Sequence, residues 1–459
     1  MVSVVHLPYT NSQVKLAIPY PTLDLKVEPL EGVDDPDGQI KEALQAPLDT
    51  EPLSSLAEKG RKVAILVEGL QVPGGYRKRV LSILLGELHN AGVKRGDVTL
   101  IVATGIYRKP SRSELIELIG REVFESYMVI VHDCEESRLM VNVGETPLGG
   151  TMEVNRWVAE SDLVIVVSKV LPWGAWGGYN SGARMLALDL TSAETASQYY
   201  DLSVVSNPSC NGDPALNPLQ KLFHESARIL EEARGSPLFF VELVATTNGQ
   251  LLSVKAGSLK SVERTMWAEA DRQYVARIRE RGELLVVGVP SVTFLGESAD
   301  NNAALLHAIT FTLRSHRVSP VIRKGGLVLT AAECAATKIT PVENEALRLL
   351  VKAGSIEGVV AKQESVRKPM LIKLYKDGLT PHPLHPLFSL YTAAFTLEHV
   401  EETIVIGCNS KLAARELKIA PSNKLEEALR KVEDHLGPDP VTVISPEYFT
   451  KGPIIQHTG

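Results

Sequence analysis

Apolar and polar positions alternate in blocks along the first half of the chain. The run Val63–Val67 between Lys62 and Glu68 reads as a buried strand, Arg79 to Ala91 has helical apolar spacing, and Val98–Thr104 between Asp97 and Gly105 is a second strand. The alternation continues with a helix from Ser113 to Ile119, a strand from Met128 to Val131, a hairpin around Gly149 and Gly150, and a strand from Leu163 to Val167. Strands alternating with helices predict a parallel sheet covered by helices.

Further on, a helix over Leu222 to Ala233 precedes a hairpin from Phe239 to Gly257, whose Thr247-Asn248-Gly249 supplies the turn. A long amphipathic helix is expected from Ser261 to Arg279. A second α/β region follows, with strands at Glu283–Val289, Gly326–Ala332 and Thr403–Cys408 and helices at Asn302–Arg314 and Glu343–Ala353. The expectation is an α/β protein of two domains with mainly parallel sheets, 1–280 and 281–459, the last residues being free to return to the first. The first ~50 residues, rich in proline and acidic residues, read as an irregular lead-in packed on the first domain.

A chain of 459 residues is long for a single core, and 44% hydrophobic with 22% charged residues is an ordinary globular composition. No apolar run has transmembrane length. Met1 to Pro8 lacks the pattern of a secretory leader, so a cytoplasmic location is expected. A net charge of −7 with only short basic clusters such as Arg77-Lys78-Arg79 argues against nucleic acid and towards a small ligand. Cys134, Cys210, Cys334 and Cys408 form no C-x-x-C pair and read as reduced interior thiols.

Three strands run into unusual loops, Gly69–Gly75, Gly105–Pro110 and Val170–Arg184, which should converge on one cleft at the carboxyl ends of the sheet. The glycines from Gly174 to Gly182 either cradle a phosphate with backbone N–H groups or form a plain irregular loop; no G-x-G-x-x-G spacing decides it. Trp173, Trp176 and Tyr179 either make a platform for a ring or fill volume. Arg108 and Arg184 suit bidentate capture of a carboxylate, or else pair with acids. His307 suits acid–base work if it faces the cleft, against a structural role on its helix. His132-Asp133 reads as structural. His382 and His385 lie in the Pro-rich Thr380–Phe388, where prolines oppose a regular helix and no third ligand completes a metal site.

These loops resemble, in order and spacing, the signature segments of nickel-dependent lactate racemases, and flanking stretches agree along most of the chain. The resemblance implies two α/β domains enclosing a nickel pincer nucleotide attached to a lysine and ligated by a histidine, with two further histidines exchanging the substrate's alpha proton. The family's D-D-x-T-R-P stands against Glu68-Gly69-Leu70-Gln71-Val72-Pro73, and its A-T-G-x-H-R-P against Ala103-Thr104-Gly105-Ile106-Tyr107-Arg108-Lys109-Pro110, with Tyr107 at the base position. The E-P-H motif meets Leu171-Pro172-Trp173; Arg184 falls where the lysine belongs, and the nickel-ligand histidine falls near Tyr199 or Tyr200. His307 takes the place of a substrate lysine. An arginine cannot form the lysine's linkage, and a phenol is a poor ligand for a sulfur–nickel centre.

The expectation is therefore a divergent relative that binds or acts on a 2-hydroxy acid or sugar acid by racemase or epimerase-type chemistry, without the nickel pincer nucleotide and without a metal site. Tyr107 and His307 are its candidate proton-transfer groups, and Arg108, Trp173, Trp176, Tyr179 and Arg184 its candidate substrate contacts. Gly177, Gly178, Gly182 and Tyr200 mark the family's cofactor position. The alternative is a non-catalytic ligand-binding protein. Oligomeric state is open.

Overall fold

The computed structural model describes residues 2–25, 27–58, 60–72, 74–173, 178–207, 209, 211–290, 300–317, 319–334, 339–409, 412–445 and 454–458. A hairpin of β1 (Ser3–Tyr9) and β2 (Ser12–Ile18) leads into the short β3 (Thr22–Asp24). Next come β4 (Val63–Glu68), β5 (Val98–Ala103), β6 (Met128–Val131), the hairpin β7 (Met140–Glu145) and β8 (Thr151–Asn155), and β9 (Leu163–Lys169). A two-residue pair, β10 (Pro172–Trp173) and β11 (Gly178–Tyr179), is followed by β12 (Phe239–Ala245), β13 (Leu251–Gly257) and β14 (Val275–Ile278). The second half holds β15 (Gly282–Val287), β16 (Ile322–Ala331), β17 (Glu402–Ile406), β18 (Ile419–Ser422), β19 (Thr442–Ser445) and β20 (Ile454–His457).

The first sheet has the order β13-β12-β9-β4-β5-β6 and is parallel apart from β13. Every residue of β4 is buried, because alternate side chains face helices on opposite sides of the sheet. Val63, Ile65 and Val67 pack with the helices 36–45, 76–90 and 112–119. Ala64 and Leu66 pack with 218–234 and 259–274. Helix ends follow local chemistry. Ser111 and Glu114 form a capping box, and Asn217 caps the 218–234 helix, which ends at Gly235 in the left-handed region. Gly257, with φ of 138°, lets β13 cross the segment at Leu48 so closely that a Cβ would lie 2.1 Å from the Leu48 carbonyl oxygen.

The second sheet runs β18-β17-β16-β15-β19-β3, all parallel. The first 25 residues therefore belong with this sheet, contrary to the expected lead-in on the first domain. β3 pairs with β19, and Val5, Leu7, Leu16 and Ile18 of the hairpin pack on Leu284, Val286 and Leu329. The helix expected to reach Arg279 stops at Tyr274, because Val275–Ile278 pairs with β20 from the far end of the chain. The Pro-rich segment also departs from expectation. A 15-residue helix, His385–His399, starts there with Pro386 in its first turn, where the missing N–H costs nothing.

One core cluster joins the two halves. It contains Tyr107, Trp173, Tyr199 and Tyr200 from the first, and residues of the 302–314 and 385–399 helices with Leu285, Val328 and Val405 from the second. No helix among the described residues is long and apolar enough to cross a membrane.

Candidate functional site

The chain goes from β4 outward to β5 and β6, then crosses back to β9 on the other side of β4. The strand order thus reverses between β4 and β9, and in open α/β sheets the ligand crevice lies beyond the carboxyl ends at that point. The residues that end these two strands are charged: Glu68 on β4 and Lys169 on β9. Glu68 is fully buried and accepts hydrogen bonds from the Tyr76 hydroxyl, the Asn180 amide and, at 3.0 Å, the Lys169 backbone N–H. Burial pushes its carboxyl above the usual range, against the pull of Arg77. Arg77 shapes the loop between, donating to the carbonyls of Glu68 at 2.9 Å, Gly74 and Gly69 at 3.0 Å, and Val72 at 2.6 Å. The Lys169 ammonium is desolvated, which lowers its pKa to about 8 despite the nearby Glu68.

The loop after β9 returns through β10 and β11 to a short helical segment at Gly182–Arg184, whose first N–H donates to Glu242 at 2.8 Å. A π-turn over Met185–Asp189 then closes Arg184 onto Asp189. Both side chains are 1% exposed and pair at 2.5 Å. Arg184 Nε donates to Asn180 Oδ1 at 2.5 Å, and its guanidinium lies 4.8 Å from the centre of the Trp173 ring. Gln71 Nε2 donates to Asp189 at 3.1 Å and to the Ala103 carbonyl at 2.8 Å. Burial raises the Asp189 pKa to about 6, and Arg184 and Gln71 oppose that rise.

Aromatic and histidine side chains complete the enclosure. Burial, with Tyr107 and Asp189 close by, holds the Tyr200 phenol well above its usual range. The Tyr200 ring stacks on Phe388 at 4.2 Å, and His385 meets Tyr107 edge-on at 4.9 Å. Trp173 packs on Phe311 at 6.2 Å, and His307 on the same Phe311 at 5.2 Å. The His307 tautomer follows from its neighbour. The Thr392 hydroxyl donates to the Ser389 carbonyl at 2.9 Å, so it accepts from His307 Nδ1 at 2.5 Å. His307 Nε2 then carries a lone pair, is buried, and meets no hydrogen-bond partner among the described residues. Burial holds the His307 pKa down at about 3, with the nearby His385 adding to the effect.

Tyr107, Trp173, Arg184, Tyr200 and His307 are thus brought into one buried region. Arg108 is partly exposed and held by both oxygens of Glu114, at 2.6 and 3.1 Å. The Tyr179 hydroxyl donates to Asp271 at 2.6 Å, and Gly178 backs onto the Gly212 carbonyl. Gly182 packs against Phe240. Trp176 and Gly177 lie outside the described residues. His132 is buried, facing the Thr191 carbonyl at 3.0 Å and the Asn155 amide at 3.2 Å, while Asp133 pairs with Lys109 at 2.6 Å. His382 meets Glu135 at 2.8 Å. The residues that sequence reasoning missed are Lys169, Asn180, Asp189 and Phe388, while His385 was weighed only as a metal ligand. For Lys169 and Glu68 a signal existed, a charge closing an otherwise apolar strand; the others carry none.

Residues 9–211 match the model of the lactate racemase N-terminal domain. The lactate racemase of Thermoanaerobacterium thermosaccharolyticum is 24% identical over 219 residues, 48% of this chain and 50% of that one. The lactate racemase of Lactiplantibacillus plantarum is 20% identical over 226 residues, 49% of this chain and 51% of that one. The matched sequence thus spans about half the length of these relatives. In structure, the apoprotein of the Thermoanaerobacterium lactate racemase superposes with a TM-score of 0.73 at 19% identity, covering 99% of this chain and 100% of the other. A Thermotoga maritima protein superposes at 0.60 with 16% identity, over 93% and 99% of the two chains. Residues 9–211 are thus similar to the lactate racemase N-terminal domain, and the chain as a whole shares the fold of the lactate racemase apoprotein.

Proposed function

We propose that this protein binds a small 2-hydroxy acid or sugar acid in the crevice between its two sheets, and acts on it without the nickel pincer nucleotide of its family. The carrying observation is the Arg184–Asp189 pair. At the position where the resemblance expects a lysine to attach the cofactor there is a guanidinium, bound by Asp189 and Asn180 and covered by Trp173. The family's nickel-ligand position falls near Tyr199 or Tyr200; the Tyr199 hydroxyl bonds Ser226, and the Tyr200 ring stacks on Phe388. Neither a guanidinium nor a phenol fits a nickel centre with sulfur ligands.

His307 is the group best placed to accept a proton, since its Nε2 lone pair is fixed by the Nδ1 bond to Thr392. Burial keeps it a weak base. A carboxylate arriving beside it stabilises the imidazolium and brings its pKa back towards neutrality, so the ligand itself makes His307 basic. One observation favours the second reading, a non-catalytic binder. A side-chain base contributes only about 10²–10⁴-fold, which is small against the weak acidity of a hydroxy acid's alpha hydrogen.

Co-expression with the enzymes that make the family's cofactor is expected to yield protein without stoichiometric nickel by elemental analysis and without a pincer-sized mass on denaturing mass spectrometry. Finding both restores an ordinary nickel racemase. Calorimetry with a panel of 2-hydroxy and aldonic acids should show binding. Where a ligand is turned over, His307→Ala should lower kcat by about 10²–10⁴-fold; binding with no turnover by the unaltered protein selects the non-catalytic reading.

A further inference from the structure

The strand ends at the crevice hold an amine as well as an acid. Lys169 closes β9 beside Glu68, the last residue of β4, at the place where the strand order reverses. Its side chain is half-buried and reaches the loop that Arg77 holds in shape. The Nζ lies 3.6 Å from the point a Cβ on Gly74 would occupy, and Gly74 has a φ of 119°. Backbone without a side chain therefore faces the amine. Glu68, buried and fixed by Tyr76 and Asn180, interacts with the ammonium, and Arg77 opposes its charge.

We propose that Lys169 captures a small acid bearing an aldehyde or ketone, such as a 2-oxo acid, as an imine. This deepens the reading above and rests on the crevice admitting a small acid, but it does not depend on His307. The Nζ lone pair adds to the carbonyl carbon, and the C=O electron pair becomes a hydroxyl after the amine proton moves to oxygen. The hydroxyl takes a proton from the adjacent Glu68 carboxyl, whose hold on a proton burial strengthens, and leaves as water; this gives the protonated imine, which returns its proton to Glu68. The sum is amine plus carbonyl giving imine plus water, with no oxidant or reductant. A protonated imine withdraws electrons from the neighbouring carbon, which supplies the electron sink that a hydroxy acid lacks. A lysine with a pKa of about 8 has the free amine for this near neutral pH. Roughly a tenth of it is unprotonated at pH 7, against well under ~0.1% for an ordinary lysine.

The full-length protein incubated with glyoxylate or pyruvate and sodium cyanoborohydride, then mapped by peptide mass spectrometry, is expected to carry one reduced adduct at Lys169. Lys169→Arg should abolish that adduct while background labelling at exposed lysines such as Lys373, whose side chain is 73% exposed, stays the same. Absence of an adduct at Lys169 in the unaltered protein, or labelling that simply follows exposure, overturns the proposal. If 2-hydroxy acids still bind by calorimetry in that event, only the imine is lost; if no carboxylate binds at all, the binding reading falls with it.

Discussion

Asp189→Ala should destabilise the protein by about 3–5 kcal/mol, because it leaves the Arg184 guanidinium charged, buried and without its counter-ion. Both side chains are 1% exposed, so water cannot replace the lost partner. Arg184→Met should cost a similar amount by stranding the carboxylate beside Gln71. The double replacement Arg184→Met with Asp189→Leu removes both charges together and should cost much less than the two singles added. What remains is mainly the loss at Asn180 and Gln71, about 1 kcal/mol for each unmade hydrogen bond. Arg184→Lys should fall between, since an ammonium keeps the charge but cannot bond Asn180 and both carboxylate oxygens in one plane. Urea unfolding of the four variants measures this. Single replacements that cost under about 1 kcal/mol would show the pair to be solvated and not a buried ion pair.

The strands of the first sheet were legible because burial on both faces writes itself as an unbroken apolar run. β4, β5 and β9 are read directly, and the resemblance follows from the loops they feed. What was not legible depends on pairing between distant segments. β3 is three residues long with no period of its own, and it becomes a strand only because β19 lies beside it. Val275–Ile278 reads as the last turn of a helix until β20 returns to pair with it. The 385–399 helix was hidden by Pro386, which opposes a helix interior but suits a first turn. At the site, Tyr107, Trp173, Arg184 and Tyr200 could be placed by order and spacing, and His307 by its helix. Asp189, His385 and Phe388 could not, because their relation to Arg184, Tyr107 and Tyr200 comes from folding the loop after β9 and from docking the second domain. Arg108 shows the converse. Its spacing suggested ligand capture, and its side chain is engaged by Glu114, the residue that also caps the 112–119 helix.

The buried histidines should govern how the protein responds to acid. Burial pushes His307, His316 and His385 down to about 3, and His132 to about 4, from an ordinary value of 6.5. Between those values and 6.5 the unfolded chain binds protons that the folded chain refuses, so stability is complete above about 6.5 and is lost as pH falls through that window. Each of these groups adds up to about 1.4 kcal/mol per pH unit to the slope. The raised carboxyls act in the opposite sense. Asp189 holds its proton up to about 6 in the folded state, as Glu68 and Glu242 also do above their usual range, so they favour folding on acidification. The net slope is therefore a difference, and a single histidine is isolated best by removing it. His307→Gln should flatten the dependence of unfolding free energy on pH by about 1.4 kcal/mol per unit between roughly pH 4 and 6, whatever its effect at pH 7. Since a bound carboxylate favours the imidazolium, a saturating ligand should flatten the unaltered protein's slope in the same direction and leave that of His307→Gln unchanged. A ligand that flattens both equally is not binding beside His307, and the proton-accepting role assigned to that residue would then be lost.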